Sequence, residues 1–554
     1  MIIEKWGGTK KMREIEMQKN QNLKIIKKAQ NGITLVALVI TIIIIIILAT
    51  VAINFAFGDN GLINKAEQAS DFYANDTKYT EESMTNVESY LNEMIAETGG
   101  EDTPPEETFV DVLPTKPSLS DGMVPVKWNG SNWVRTTADD EDWYDYANKE
   151  WANVVLTPES GTNAGKDATG TVDLFDSDGI LNEDSAYTML VWIPRYAYQI
   201  TTNYHTNAAE GGNINIVFID TNNQNKEKTK TYSTSYPNAT TGGGMDEYVV
   251  HPAFNYGGTQ LPGFWVGKFE TSNTNCTTDV TTGQAIYTGN EVIQIKAGVT
   301  SWRNIQVSDI FTTCINMNNS GNPYGLNTND NVVDPHMMKN SEWGAVAYLS
   351  QNTTYGKGSK VWINNNSSHI TGRAGTSVSQ VYTEVGAGTY EYNTNNGQQA
   401  STTGTVWGVY DMSGGAWEYV AGYVNNGNTN LITYGNTLVN ATDEYKDVYM
   451  SSSNNGISDQ LTDYEYAQPI MGLGQPTSTS GHYGDSVWEV SSTTSSPNDD
   501  SWYGDYSTFP SSINPLFIYG GGYGDKYNAG EFAFSCAAGF TYNGVGFRLV
   551  LPVL

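Results

Sequence analysis

The sequence predicts an α+β protein in which a long N-terminal transmembrane and stalk helix is followed by a β-rich region. Three observations predict it. Residues Ile33–Phe57 contain only Thr34, Thr41, Thr50 and Asn54 as polar groups, and no charge falls between Lys28 and Asp59. At about 1.5 Å per residue, a helix of this run spans a hydrocarbon layer roughly 30 Å thick. Leu62, Ile63, Ala66, Ala69 and Tyr73, then Val87, Tyr90, Leu91 and Met94, recur at three- and four-residue spacing and extend the helix through residue 96. Beyond Pro117, short β-branched and aromatic runs alternate with Gly-, Asn-, Ser- and Thr-rich stretches, the pattern of strands and loops.

Taken in order, residues 1–32 form a basic leader, 33–96 the membrane and stalk helix, 97–121 an acidic linker interrupted by Pro104, Pro105 and Pro114, 122–185 a small β-rich segment, and 186–554 the main domain. Lys19, Lys24, Lys27 and Lys28 precede the apolar run, whereas Asp59, Glu67, Asp71 and Asp76 follow it. Lysines beside a span are held on the cytoplasmic side, so the large C-terminal part is expected outside the cell. In the small segment, Val124–Trp128 and Trp133–Arg135 read as strands around Asn129-Gly130, and Trp143–Tyr146 with Trp151–Val155 as a second pair. In the main domain, Met189–Tyr196 and Phe264–Glu270 read as strands, and Ser341–Leu349 as a short helix capped by Ser341.

Composition narrows the function. Residues 1–32 hold eight basic and three acidic side chains, leaving 21 basic and 57 acidic residues and a net charge of −36 on the remainder. Such a surface repels nucleic acid. Cys276, Cys314 and Cys536 lack any CxxC spacing, and the five histidines show no metal spacing, so neither a disulfide scaffold nor a metal centre is expected. The 35 tyrosines and 14 tryptophans supply large rigid contact areas with a polar handle, which suits recognition.

Three readings stay open for the apolar run: a signal anchor, a removable secretory signal and a prepilin. A removable signal has an apolar core of about 7–15 residues. Lys27-Lys28-Ala29-Gln30-Asn31-Gly32 followed by Ile33-Thr34-Leu35-Val36 resembles the type IV prepilin site. The resemblance implies cleavage between Gly32 and Ile33 by a prepilin peptidase, with pilin-like subunits as further partners. The fifth mature residue, usually glutamate in that family, is Ala37, so the carboxylate used for subunit pairing is absent.

A second set of motifs covers residues 186–554. Gly408-Val409-Tyr410-Asp411-Met412-Ser413-Gly414-Gly415-Ala416-Trp417-Glu418-Tyr419, the close from Gly520-Gly521-Gly522-Tyr523 to Gly546-Phe547-Arg548, and the preceding Phe264 and Ser341-Glu342-Trp343 segments, in that family's order, resemble the formylglycine-generating, sulfatase-modifying family. That resemblance implies a C-type lectin-like fold. Copper-dependent oxidation in the family uses a cysteine pair in the tail. Here the segment offers Cys536 alone, so no enzymatic activity, catalytic residue or cofactor is expected. The asparagine that the family places before its Trp-Glu strand is Gly415, which argues against bound calcium.

The same tail resembles the variable region of retroelement-diversified proteins, since small, aromatic and polar residues alternate with Gly530, Phe532, Phe534, Gly539 and Gly544. The expected ligand-binding residues are Tyr523, Asp525, Tyr527, Ala533, Ser535, Cys536, Ala537, Phe540 and Tyr542. Together these readings predict an adhesin-like protein on the bacterial cell surface, anchored in the membrane through residues 33–57 or carried in a pilus, whose head binds a protein or glycan. An altered formylglycine-type enzyme and a structural minor pilin are the alternatives.

Overall fold

The computed structural model describes residues 114–276, 291–326, 332–375, 390–450, 482–492 and 499–554, all within one compact unit, Val110–Leu554. The leader, the Gly32–Ile33 bond, the apolar run and the expected stalk lie outside the described residues. The expected α+β class is corrected to a mostly β protein. The α-helices among the described residues are α1 (Val307–Ile315), α2 (Asn340–Gln351), α3 (Thr429–Thr433) and α4 (Asn436–Val439). No helix among the described residues is long and apolar enough to cross a membrane. Composition gives the physical reason: Asn, Ser and Thr side chains compete for the helix backbone, and Gly adds entropy, so helices built from them stay short.

Two seven-stranded sheets carry the architecture. The first contains β1 (Met123–Trp128), β2 (Trp133–Arg135), β3 (Asn153–Leu156), β4 (Met189–Pro194), β5 (Gly263–Gly267), β6 (His336–Met337) and, from the C-terminus, β14 (Leu549–Leu551), in the order β6-β14-β5-β4-β3-β1-β2. The second contains β7 (Trp417–Asn425), β8 (Asp447–Met450), β9 (Asp499–Asp500), β10 (Tyr506–Ser507), β11 (Leu516–Tyr519), β12 (Phe534–Ala537) and β13 (Val545–Phe547). Its order is β8-β7-β11-β12-β10-β9, with β13 parallel to the start of β7.

The hairpin at Asn129-Gly130 forms with Trp128 opposite Trp133, and segment 122–185 supplies β1–β3 to the first sheet through the pairing of β3 with β4. Trp143–Tyr146 is not a strand; Asp145 instead caps a single 3-10 turn at Tyr146–Asn148. The helix expected at Ser341 starts earlier. Asn340 opens α2, and the Lys339 amide donates to the Glu342 carboxylate at 2.8 Å, while the Ser341 amide donates to Asp447 at 2.8 Å.

Arg548 sits between β13 and β14, at the step from one sheet to the other. It is fully buried, and its Nη2 and Nε donate to the Glu418 carboxylate at 2.6 and 3.1 Å, while Nη1 donates to the Gly267 carbonyl at 2.8 Å. Removing one member of such a buried pair leaves an uncompensated charge, so Arg548→Ala is expected to cost about 3–5 kcal/mol in denaturant unfolding. A Glu418→Leu/Arg548→Met double variant should recover part of that loss; equal destabilisation of both would show that the stranded Glu418 carboxylate is not its source.

A second buried carboxylate sets a pH dependence. Burial raises the Glu342 pKa, but His336 at 2.9 Å, Lys339 and their hydrogen bonds outweigh it and hold the group at about 2, below its ordinary 4.5. A depressed folded-state pKa gives stability that is complete above the unfolded value and is lost as pH falls towards 2. Melting temperature is therefore expected to drop through this acid window, and Glu342→Gln to flatten that part of the profile. An unchanged slope in the variant would refute the assignment.

Candidate functional site

The alternation of side chains along β7 creates the site. Successive residues of a strand face opposite ways, so Glu418 turns to Arg548 while Trp417 and Tyr419 share the other face. Tyr419 lies opposite Ile518 of β11, Ile518 opposite Ser535 of β12, and Trp417 opposite Val545 of β13. These strands floor a cavity of about 450 Å³. Asp525, Phe540 and Tyr542 rise around it from the flanking turns.

Six of the nine expected binding residues line this cavity: Asp525, Ser535, Cys536, Ala537, Phe540 and Tyr542. The other three lie elsewhere. Ala533 is wholly buried, one step before β12, where its carbonyl accepts from the Gly520 amide. Tyr523 is half-buried, its ring edge-on to His369 at 4.9 Å. Tyr527 is 57% exposed but off the cavity wall, and its carbonyl accepts from the Lys360 ammonium at 2.6 Å. Sequence reasoning missed Trp417, Tyr419, Tyr506, Asn514 and Ile518. Trp417 is half-buried on the wall. The signal was present, since Trp417 and Tyr419 are two apart on a strand whose central Glu418 must face inward to meet an arginine.

The segment that closes the cavity is gripped by its main chain. The Gly539 carbonyl accepts from the Val307 amide at 3.1 Å, Phe540 from the Tyr419 hydroxyl at 2.9 Å, Tyr542 from the Asn304 amide at 3.0 Å and Gly544 from the Trp417 amide at 3.0 Å. The Asn543 carbonyl accepts from the Arg303 guanidinium. The side chains of Phe540, Thr541, Tyr542 and Asn543 meanwhile stay exposed. The shape of this segment therefore depends on carbonyl positions rather than on side-chain identity.

Two glycines are required locally. Gly539 has φ +93°, and a Cβ there would lie 2.6 Å from Leu516 Cδ1. Gly415 has φ +72°, and a Cβ would lie 2.3 Å from Glu270 Oε1, which accepts from the Ala416 amide at 2.8 Å. Burial, together with the Asp411 and Glu418 carboxylates, pushes Glu270 well above the usual carboxylate range. Gly415, read from the sequence as a lost calcium ligand, makes room for the Glu270 side chain.

Cys536 lines the cavity, but burial pushes its thiol up to about 12. It is thus a neutral thiol at pH 7, neither a nucleophile nor a soft-metal ligand in that state. Cys276 and Cys314 are also free thiols raised by burial. Among the described residues, no cluster of three or more His, Cys, Asp or Glu groups could hold a metal ion.

A second cavity, of about 270 Å³, lies between the Asn255–Gly258 turn and Asp443–Asp447. Its polar groups are engaged within the protein: Lys339 Nζ donates to the Glu444 carbonyl, Lys446 Nζ to the Val439 carbonyl, and Asp485 accepts from the Tyr449 hydroxyl. The larger cavity, with its exposed aromatic rim, is the better candidate for a ligand. The chain matches no known family model, and no curated protein matches it.

The main-chain grip has a measurable consequence. Gly539→Ala forces a side chain into a left-handed conformation and is expected to cost about 1–3 kcal/mol, whereas Thr541→Ala and Asn543→Ala should stay within about 0.5 kcal/mol of the parent. Denaturant unfolding of the three variants measures this, and marked destabilisation by either exposed-site change would show that side chains hold the segment.

Proposed function

We propose that this chain is a surface-displayed, adhesin-like protein whose C-terminal cavity binds a protein or glycan. The observation that carries the reading is the cavity itself: strand faces and a main-chain-held turn gather Trp417, Tyr419, Phe540 and Tyr542 around one concave site. Aromatic side chains in such a setting combine large contact area with few rotatable bonds, and loops held on a rigid scaffold carry specificity. The basic leader, the uncharged run 33–57 and the prepilin-like Gly32–Ile33 bond support display at the cell surface through processing by a prepilin peptidase. The resemblance to the formylglycine-generating family lends no chemistry to this reading. A neutral, solitary Cys536 speaks against the altered-enzyme reading.

Diversification of the tail is a second reading, favoured by one observation. Ser535, Ala537, Phe540 and Tyr542 face the cavity while the hydrogen bonds that fix residues 539–544 run to carbonyl oxygens. A segment held this way accepts new side chains without losing its shape. Sequencing the 3′ coding region across natural isolates is expected to find substitutions concentrated at these positions, with Tyr419, Arg303 and Gly539 unchanged. Evenly spread variation would refute diversification and leave the binding function standing.

Binding is tested with the full chain on glycan arrays and on a displayed random-peptide library. Tyr542→Ala and the cavity-filling Ala537→Trp should each lower affinity by about 2 kcal/mol or more, as at an interface hot spot. Tyr527→Ala, off the wall, serves as the unaffected control. Equal binding by all three variants would place recognition elsewhere.

A further inference from the structure

The cavity rim continues into an uncharged face in which exposed aliphatic and aromatic side chains stand among Asn and Thr. Eight large hydrophobic residues stand exposed among the described residues, and four of them, Ile432, Ile513, Phe540 and Tyr542, belong to this one region. The connections are direct. Asn514 lines the cavity next to Ile513, the Asn430 side chain donates to the Ile513 carbonyl at 2.7 Å, and the Tyr434 ring meets Phe540 at 5.9 Å. Ile432, 65% exposed on α3, lies in sequence between Asn430 and Tyr434.

The three stretches that build this region, residues 419–442, 506–524 and 532–547, contain no Asp, Glu, Lys or Arg. Asp525 alone among the wall residues carries a charge, and one of its oxygens accepts from the Gly522 amide at 2.7 Å. This neutral face belongs to a chain whose remainder after residue 32 bears a net charge of −36. A strongly cationic partner would be drawn to the acidic surface elsewhere, while nucleic acid and anionic glycans would be repelled. A second copy of the chain brings the same negative charge and is disfavoured for that reason. A neutral glycan needs hydrogen bonds for its hydroxyl groups, which the aliphatic Ile432 and Ile513 cannot give, and an unpaired hydroxyl against them is costly.

We infer that this face docks a protein, through an uncharged loop or helix that presents an aliphatic or aromatic side chain to the cavity and rests its flanks on Ile432 and Ile513. The inference rests on the cavity's being the recognition site and names the class of ligand it takes. Exposed aliphatic side chains gain by burial in such a contact, because the gain grows with apolar area removed from water. Apolar contact is also insensitive to ionic strength, unlike contact between exposed charges.

The test pans a displayed random-peptide library against the full chain and its Ile432→Asp, Ile513→Asp and Ile432→Thr variants, each first matched to the parent by melting temperature. The expected result is enrichment of peptides with uncharged apolar cores. Retention should fall at least about tenfold in both Asp variants and less in Ile432→Thr, and should change less than about twofold between about 50 and 500 mM salt. Cationic peptides with salt-sensitive retention would overturn the inference. So would glycan-array binding with no peptide enriched, or a concentration-dependent dimer that Ile432→Asp abolishes in sedimentation. If Tyr542→Ala abolishes retention while both Asp variants bind like the parent, the recognition cavity stands and the protein-docking face falls. If no cavity or rim variant changes retention, both fall together.

Discussion

The ion pair between Glu418 and Arg548 is the constraint on which the two sheets depend. Arg548 separates β13 from β14, so the chain changes sheets across a single residue, and its three donor groups reach Glu418 in one sheet and Gly267 in the other. Two charges withdrawn from water are favourable only when geometry and hydrogen bonding are complete; here two carboxylate oxygens and a carbonyl are all engaged. Glu418 is pushed up to about 7 by burial, with Arg548 acting in the opposite direction. The pair thus fixes position more than it adds net stability, and position is what the cavity on the far face of β7 requires.

Other buried polar groups repeat this logic around the same junction. Lys268, just beyond β5, is fully buried, and burial pushes its ammonium well below the usual range. Its Nζ donates to the Asn153 side chain and to the Val406 and Gly408 carbonyls at 2.8–2.9 Å, tying β3 to the loop before Asp411. Asp411 itself, at φ +61°, accepts from Asn364 and from the Gly372 amide. The described loops around residues 364–372 and 406–411 are therefore ordered by hydrogen bonds to a few buried charged and amide side chains, which hold backbone that has no sheet or helix partner.

Much of this was legible from residue spacing, and some was not. The β1–β2 hairpin could be read because Asn-Gly stands between two apolar runs, and β4 and β5 because unbroken apolar runs mark strands buried on both faces. The motifs ending in Trp-Glu-Tyr and Gly-Phe-Arg were read only through a family resemblance; that Glu418 and Arg548 pair is a contact the structure supplies. The mostly β outcome was missed because apolar periodicity near the N-terminus dominated the class assignment. Ile432, Ile513 and Asn514 were missed because a short helix and a turn have no periodicity. Their place beside the cavity comes from long-range hydrogen bonds such as Asn430 to Ile513, which no spacing encodes. Ala533 was mistaken for a surface residue because small side chains look alike whether they face a cavity or a core.

The separation of roles within the tail follows from the same arrangement. Residues that face Arg548 or the core, such as Phe532, Phe534 and Phe547, are fully buried and fix the strands, while their neighbours on the alternate face meet the cavity. Across the closing turn the division is between main chain and side chain: carbonyls bind to Val307, Asn304, Arg303 and Tyr419, and the side chains are left outward. A scaffold that stores its order in buried charges and backbone contacts leaves the side chains of its neutral outer face free of structural duty. That freedom is possible because the acidity that opposes self-association is carried by the rest of the chain, so this face need not contribute charge.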